Sequence, residues 1–287
     1  MFATRRDFFR SSFLATAGLT LGSFRSLFNP FSPCHFGVHP FILQHPDAVF
    51  VMRTDIVDKR DGDAIKQCAL DFGRSVFGLT DDQINGIPLT HKFLIKPNLT
   101  CRLRYHEKYS VEGTMGIVTD VFFVEGIIDS LKELGIAPGQ FHIRDVNCPD
   151  DLADGGYVEM ANRTGIDLQV IDTPVWDLHP DQFIWKEVPD GVWFKRIPYL
   201  WPVNAPGTFL LNIAKFKTHG MGLTLCAKNL QGTIAMNYQA HCRPYGEEMS
   251  GVREEDVWPT AESEVFSNYL KHKEEGIPRW DKPGKYG

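Results

Sequence analysis

The sequence predicts an α/β protein, with a mainly parallel sheet, helices on both faces and an irregular β-containing insertion. Two observations carry this. Apolar runs of strand length alternate with segments of helical periodicity in the order βαβαβαβ, the pattern of parallel strands joined by helical crossovers. Polar residues then recur where the strand-like runs stop, as they do along the ligand-binding carboxyl edge of an open sheet.

Taken in order, Asp47 to Val57 reads as a first strand, after a Pro- and Phe-rich connector at 31–46. Gly62 to Val76 reads as a helix, with Ile65, Cys68, Ala69, Phe72 and Val76 on one side. His91 to Ile95 is the next strand and runs into Lys96-Pro97-Asn98-Leu99. A loop from Cys101 to Gly116 carries Arg102, Arg104, His106 and Lys108, read as a solvated stretch rather than a site, with Gly113, Thr114 and Gly116 suited to a lid. Thr119 is placed as N-cap of a helix from Asp120 to Leu134, and Gly135 as its stop. Gln140 to Val146, a helix from Gly155 to Thr164, and Asp167 to Ile171 continue the alternation. Residues 173–206 break it with six prolines and four tryptophans, so an insertion is read there. Thr208 to Lys215 is the last strand, followed by a helix from Leu223 to Ala235. Residues 47–246 are thus taken as one α/β domain. The acidic tail, 247–287, holds one amphipathic helix (Glu262 to Lys273) and reads as the cut-short remainder of the domain.

The first thirty residues have their own character. Arg5-Arg6-Asp7-Phe8-Phe9-Arg10 precedes a moderately apolar segment, and no acid occurs from position 8 to 46. This is the pattern of a twin-arginine export signal, with the export machinery as partner and a periplasmic or other extracytoplasmic destination. No clean small-residue cleavage site ends the segment, so membrane attachment through it is also expected.

The chain of 287 residues carries 30 basic and 36 acidic side chains; without residues 1–30 the balance falls from −6 to about −9. An acidic protein without a basic run is a poor nucleic-acid binder, so none is expected as a partner. The six cysteines (Cys34, Cys68, Cys101, Cys148, Cys226 and Cys242) form no C-x-x-C, which removes zinc-ribbon, ferredoxin and thioredoxin signatures. Cys68 and Cys226 are expected in the core, and disulfide pairing stays open. Dinucleotide, P-loop, zincin and α/β-hydrolase motifs are also missing.

Chemistry is therefore sought at the strand ends. Lys215-Phe216-Lys217-Thr218-His219-Gly220 follows the last strand, with Lys228-Asn229 beyond it. Strand alternation would put Lys215, Lys217 and His219 on one face, and the following helix would aim its N-terminus at the same point. Lys96, Asn98, Asp145 and Asn147 lie at the other strand ends. Together with Lys215, Lys217, Lys228 and Asn229 they form the expected cofactor- or ligand-binding set, and its charge favours a small anionic ligand. Lys217 and His219 are the candidate catalytic pair, since an imidazole titrates near neutral pH and an ammonium stabilises developing negative charge. The identity of any cofactor is left open. His219 and His241 offer metal ligands at a spacing that matches no known signature.

The residues Lys96-Pro97-Asn98-Leu99, the helix after Thr119, and Asn212 to Gly220 followed by Thr224, Lys228-Asn229-Leu230 and Gly232 resemble the DUF362 family of uncharacterised bacterial and archaeal proteins. The resemblance runs from about Val49 to His241. It implies a shared α/β fold and pocket without supplying a reaction. Some members are fused to four-iron ferredoxin modules, which suggests a metal- or iron–sulfur-linked oxidoreductase component as an alternative. This chain lacks the cysteine pattern, so no cluster is carried over. A non-catalytic envelope binding protein is a further alternative. Where the family often has an Asp ahead of the apolar strand, this chain has Gly207-Thr208.

Overall fold

The computed structural model describes residues 34–99, 118–146, 155–189, 194–219, 222–224, 226–239, 252–257 and 274. The export segment, the loop at 101–116, Asn147, His241, the helix expected at 262–273 and Cys101, Cys148 and Cys242 lie outside the described residues. The chain divides into two compact units, Met1–His91 with Asp120–Gln140, and Lys92–Thr119 with Phe141–Gly287.

In the first unit, β1 (His35–Val38) is flanked by β2 (Phe77–Thr80) and β3 (Ile87–Pro88) in an antiparallel sheet ordered β2-β1-β3. A one-turn helix, α1 (Pro40–Leu43), follows β1. The connector expected at 31–46 thus supplies a strand, whereas the strand expected at 47–57 is absent. Val49, Val51 and Val57 are all highly exposed, so this stretch has no surface on which a strand could bury a face. α2 (Gly62–Val76) starts where expected, with Asp61 Oδ1 accepting from the Ala64 amide at 3.0 Å. α3 (Val121–Lys132) begins one residue later than expected and is capped by Asp120, not Thr119. The Asp120 carboxylate accepts from the amides of Phe122 and Phe123.

The two helices pack closely because glycines remove the intervening side chains. A Cβ on Gly126 would lie 2.3 Å from the Lys66 carbonyl oxygen, and one on Gly73 2.0 Å from Ser130 Oγ. Lys66 Nζ lies 2.8 Å from both Glu125 and Asp129, so the buried Glu125 carboxylate has its counter-charge. Among the described residues no helix is long and apolar enough to cross a membrane.

The second unit is built on a four-stranded parallel sheet ordered β6-β5-β4-β9. Its strands are β4 (Lys92–Pro97), β5 (Phe141–Val146), β6 (Asp167–Ile171) and β9 (Thr208–Ile213). Central strands of a parallel sheet are covered on both faces, and β5 is buried at every position and β4 at all but its first. The edge strands β6 and β9 are only partly buried. α4 (Tyr157–Thr164) ends at Gly165, which takes the left-handed conformation a helix stop requires. Gly207 (φ 68°) also takes that conformation, and its carbonyl accepts from the Lys92 amide at 2.8 Å where β4–β9 pairing begins.

The insertion is an antiparallel hairpin of β7 (Phe183–Glu187) and β8 (Arg196–Leu200). Its aromatic residues close a core with Val146, Ile171, Ala235 and Tyr238. Tyr238 meets Trp176, Trp185 and Phe194 at centroid distances of 5.6, 5.3 and 5.4 Å. Its hydroxyl donates to the buried Asp256, which also pairs with Arg196.

A larger correction falls after β9. No helix spans Leu223 to Ala235. β10 (Lys217–His219) and β11 (Gly222–Thr224) form a short antiparallel pair, then a single helical turn, α5 (Cys226–Asn229), runs into a 3-10 turn at Leu230–Thr233. Cys226 is exposed rather than in the core, and Cys68 is half-buried.

Gly126→Ala is expected to cost about 1–3 kcal/mol, because the intruding methyl meets backbone that cannot rotate away. Urea unfolding followed by circular dichroism reads this directly; an unchanged midpoint would show that the helices can separate at no cost.

Candidate functional site

β4 leads onward to β5 and β6 on one side, whereas β9 returns to the other side of β4. The strand order therefore reverses between β4 and β9, and the carboxyl ends of such neighbours are where open α/β sheets bind ligands. Lys96, Asn98, Asp145, Asn212 and Asn229 of the second unit gather at this point.

Lys96 is the last but one residue of β4 and is 1% exposed. Alternation puts it on the face of Leu94, and Asp145 on the face of Ile143. The long lysine side chain crosses the strand end, where Nζ donates to Asp145 Oδ2 at 2.7 Å, Pro97 O at 2.6 Å and Asn229 Oδ1 at 3.3 Å. All the ammonium protons are used. The Asp145 carboxylate also accepts from the Val146 amide at 2.8 Å and the Leu99 amide at 3.3 Å. Burial outweighs the attraction of Lys96 and pushes the Asp145 carboxyl up to about 6. The same burial lowers the Lys96 ammonium, so both partners move towards their neutral forms. Gly232 closes over the pair: a Cβ there would sit 2.2 Å from Asp145 Oδ1 and 2.7 Å from Lys96 Cε.

The three asparagines around this pair have fixed orientations. The Cys226 carbonyl can only accept, so Asn212 presents Nδ2 to it at 2.8 Å. Asn212 Oδ1 then accepts from Asn229 Nδ2 at 2.7 Å, and the same Nδ2 donates to Lys96 O at 2.8 Å. Asn229 Oδ1 is left for Lys96 and for Asn98 Nδ2, the latter at 3.2 Å. Asn98 Oδ1 is the acceptor left over. Among the described residues it is buried without a hydrogen-bond partner, and so are Thr208 Oγ1 and Gln231 Oε1, the latter beside Gly232 in the chain. An unpaired buried acceptor costs about 1–3 kcal/mol, so it calls for a donor.

Thr119 holds Asn98 from the other side. Its hydroxyl donates to Ile213 O at 2.8 Å and accepts from the Asn98 amide at 2.9 Å. Its own amide donates to Asn98 O, and Tyr157 donates to its carbonyl. Thr119 thus ties the ends of β4 and β9 together instead of capping a helix.

Of the residues expected from sequence, Lys96, Asn98, Asp145 and Asn229 come together in one hydrogen-bonded cluster. Lys228, half-buried, precedes Asn229 on α5. Lys217 and the backbone of His219 lie in β10, paired with Thr224 and Gly222. The His219 side chain is not among those described. Lys215 lies between β9 and β10, outside any strand. The helix expected to start at Leu223 and aim its N-terminus here is absent, its place taken by β11 and the single turn α5. Asn212 and Gly232 were not expected as site residues. Asn212 is the polar interruption of an apolar run, and Gly232 a glycine at a close approach, which were the available signals. Among the described residues no group of three or more His, Cys, Asp or Glu is placed to hold a metal.

Fold and cluster define an α/β protein with a buried lysine–aspartate pair at the switch point of a parallel sheet. Residues 94–270 match the family described as a domain of unknown function, DUF362, and the chain belongs to it. No curated protein and no solved structure matches the chain.

Lys96→Met is expected to cost about 3–5 kcal/mol by leaving Asp145 buried without its partner. Adding Asp145→Leu should restore part of that loss. A double-mutant cycle in guanidinium reads the coupling, and strictly additive losses would contradict a paired cluster. Asp145 also gives a pH signature. Its native pKa, about 6, lies above the ordinary 3.8, so the native state holds the extra proton between those values. Its contribution to stability is full below 3.8, falls as pH rises through that window and is lost above about 6. Asp145→Asn should remove this component from the pH–stability curve; the same curve in wild type and variant would contradict the assignment.

Proposed function

We propose that this DUF362 protein is exported by the twin-arginine route and binds a small anionic molecule at the carboxyl edge of its parallel sheet. The observation that carries the reading is the buried Asn98 Oδ1 at the switch point, which has no hydrogen-bond partner among the described residues while Asn98 Nδ2 is held by Asn229. The anionic character of the ligand is supported by Lys215, Lys217 and Lys228, which sequence places beside this edge in an otherwise acidic protein.

In an enzymatic form of this reading His219 carries the proton and Lys217 stabilises negative charge as it develops. Lys96, with all its donors engaged, positions rather than reacts. Export is supported by Arg5-Arg6 and the acid-free stretch that follows.

Calorimetric titration with a panel of small carboxylates and phosphates tests the binding reading. At least one member should bind, and Lys217→Ala and His219→Ala should each weaken it by about tenfold, one charge-assisted hydrogen bond, while thermal melting stays within a few degrees. Binding unaffected by either substitution would remove the site from β10.

A further inference from the structure

The orientation of the asparagines says more about the ligand than its charge. We propose, resting on the binding reading above, that the ligand carries an un-ionised hydroxyl beside its anionic group, and that Asn98 Oδ1 accepts the hydrogen bond from that hydroxyl.

Three observations lead there. Asn98 is 6% exposed, and its amide cannot be flipped. Turning it would set its oxygen against Asn229 Oδ1, now 3.2 Å from Nδ2, and Asn229 is itself fixed by donating to Lys96 O and Asn212 Oδ1. Asn98 therefore presents an acceptor, and a carboxylate or phosphate oxygen, itself only an acceptor, cannot satisfy it. A cationic donor is also disfavoured, because a charge brought into this buried site would lose its water and meet only a neutral acceptor. What remains is a neutral donor. A hydroxyl is the common neutral donor on small anions, in hydroxy-carboxylates and in phosphorylated polyols alike.

The backbone of Asn98 is clamped on both sides by Thr119. Its side chain is therefore preorganised to discriminate, and a site built to pair a hydroxyl rejects the analogue that lacks it. The oxygen is covered in this structure, so the hydroxyl reaches it with a local shift of the surrounding side chains.

The test compares matched probes on the full chain by calorimetry or ligand-observed NMR: malate against succinate, and glycerol 3-phosphate against propyl phosphate. The two pairs separate a carboxylate source from a phosphate source. The hydroxylated member of the pair that binds should bind at least tenfold more tightly. Asn98→Leu, similar in size, should bring the two members within about twofold of each other. Equal binding of both members to wild type would overturn the hydroxyl assignment while leaving an anion site in place. Absence of binding by all four probes would overturn both. The comparison on wild type stands even where the variant fails to fold.

Discussion

The second unit depends on a charge pair that, taken alone, is a poor bargain. Lys96 and Asp145 are 1% and 3% exposed. Removing two ions from water costs several kcal/mol each, and their attraction repays it only when the remaining hydrogen bonds are also made. Here they are. Pro97 O and Asn229 Oδ1 take the other ammonium protons, and the amides of Leu99 and Val146 cover the carboxylate. The pair links β4 to β5, and through Asn229 it links β4 to α5. What it confers is direction rather than net stability: the ends of three strands and one turn are tied to one another by the bonds that satisfy the two charges and Asn229.

That constraint also explains where sequence reasoning failed. Apolar residues from Leu223 onward have helical spacing, and a helix was a fair reading of them. Yet α5 stops after one turn. Asn229 must turn its amide towards Lys96 and Asn212, and Gly232 must come against Asp145 and Lys96, where no Cβ fits. Tertiary demands that a single chain segment does not display override its periodicity. The failure at 47–57 is of the opposite kind: apolar residues are present, but no sheet edge receives them. By contrast β6 matches its expected bounds, β4, β5 and β9 come close to theirs, and α2 matches, because short apolar runs bounded by glycine, proline or a capping Asp carry their own stop signals.

The site was legible in part for a similar reason. Lys96, Asn98 and Asp145 stand out as polar residues at the ends of buried strands, which sequence displays directly. Their pairing did not, since it requires a lysine to cross from one sheet face to the other. Thr119 shows the limit most plainly. Locally it is a good N-cap, and Asp120 beside it is a better one. Only the approach of β9, with Ile213 O in need of a donor, gives Thr119 its actual work.

The same geometry gives the cluster an inside and an outside. Inside, a lysine and an aspartate hold their charges against burial, with the carboxyl pushed up to about 6. Outside lies Asn98, whose amide joins the network through Nδ2 and faces away from it through Oδ1. The network needs Asn98 for one hydrogen bond, and a hydroxyl such as a serine's, given reach, could donate that bond as well. What a smaller donor could not supply is a second, fixed acceptor clamped by Thr119 at the point where β4 and β9 diverge. An asparagine kept there at the cost of an unpaired oxygen is strained for stability alone, and the cost is recovered when a donor arrives from outside the chain.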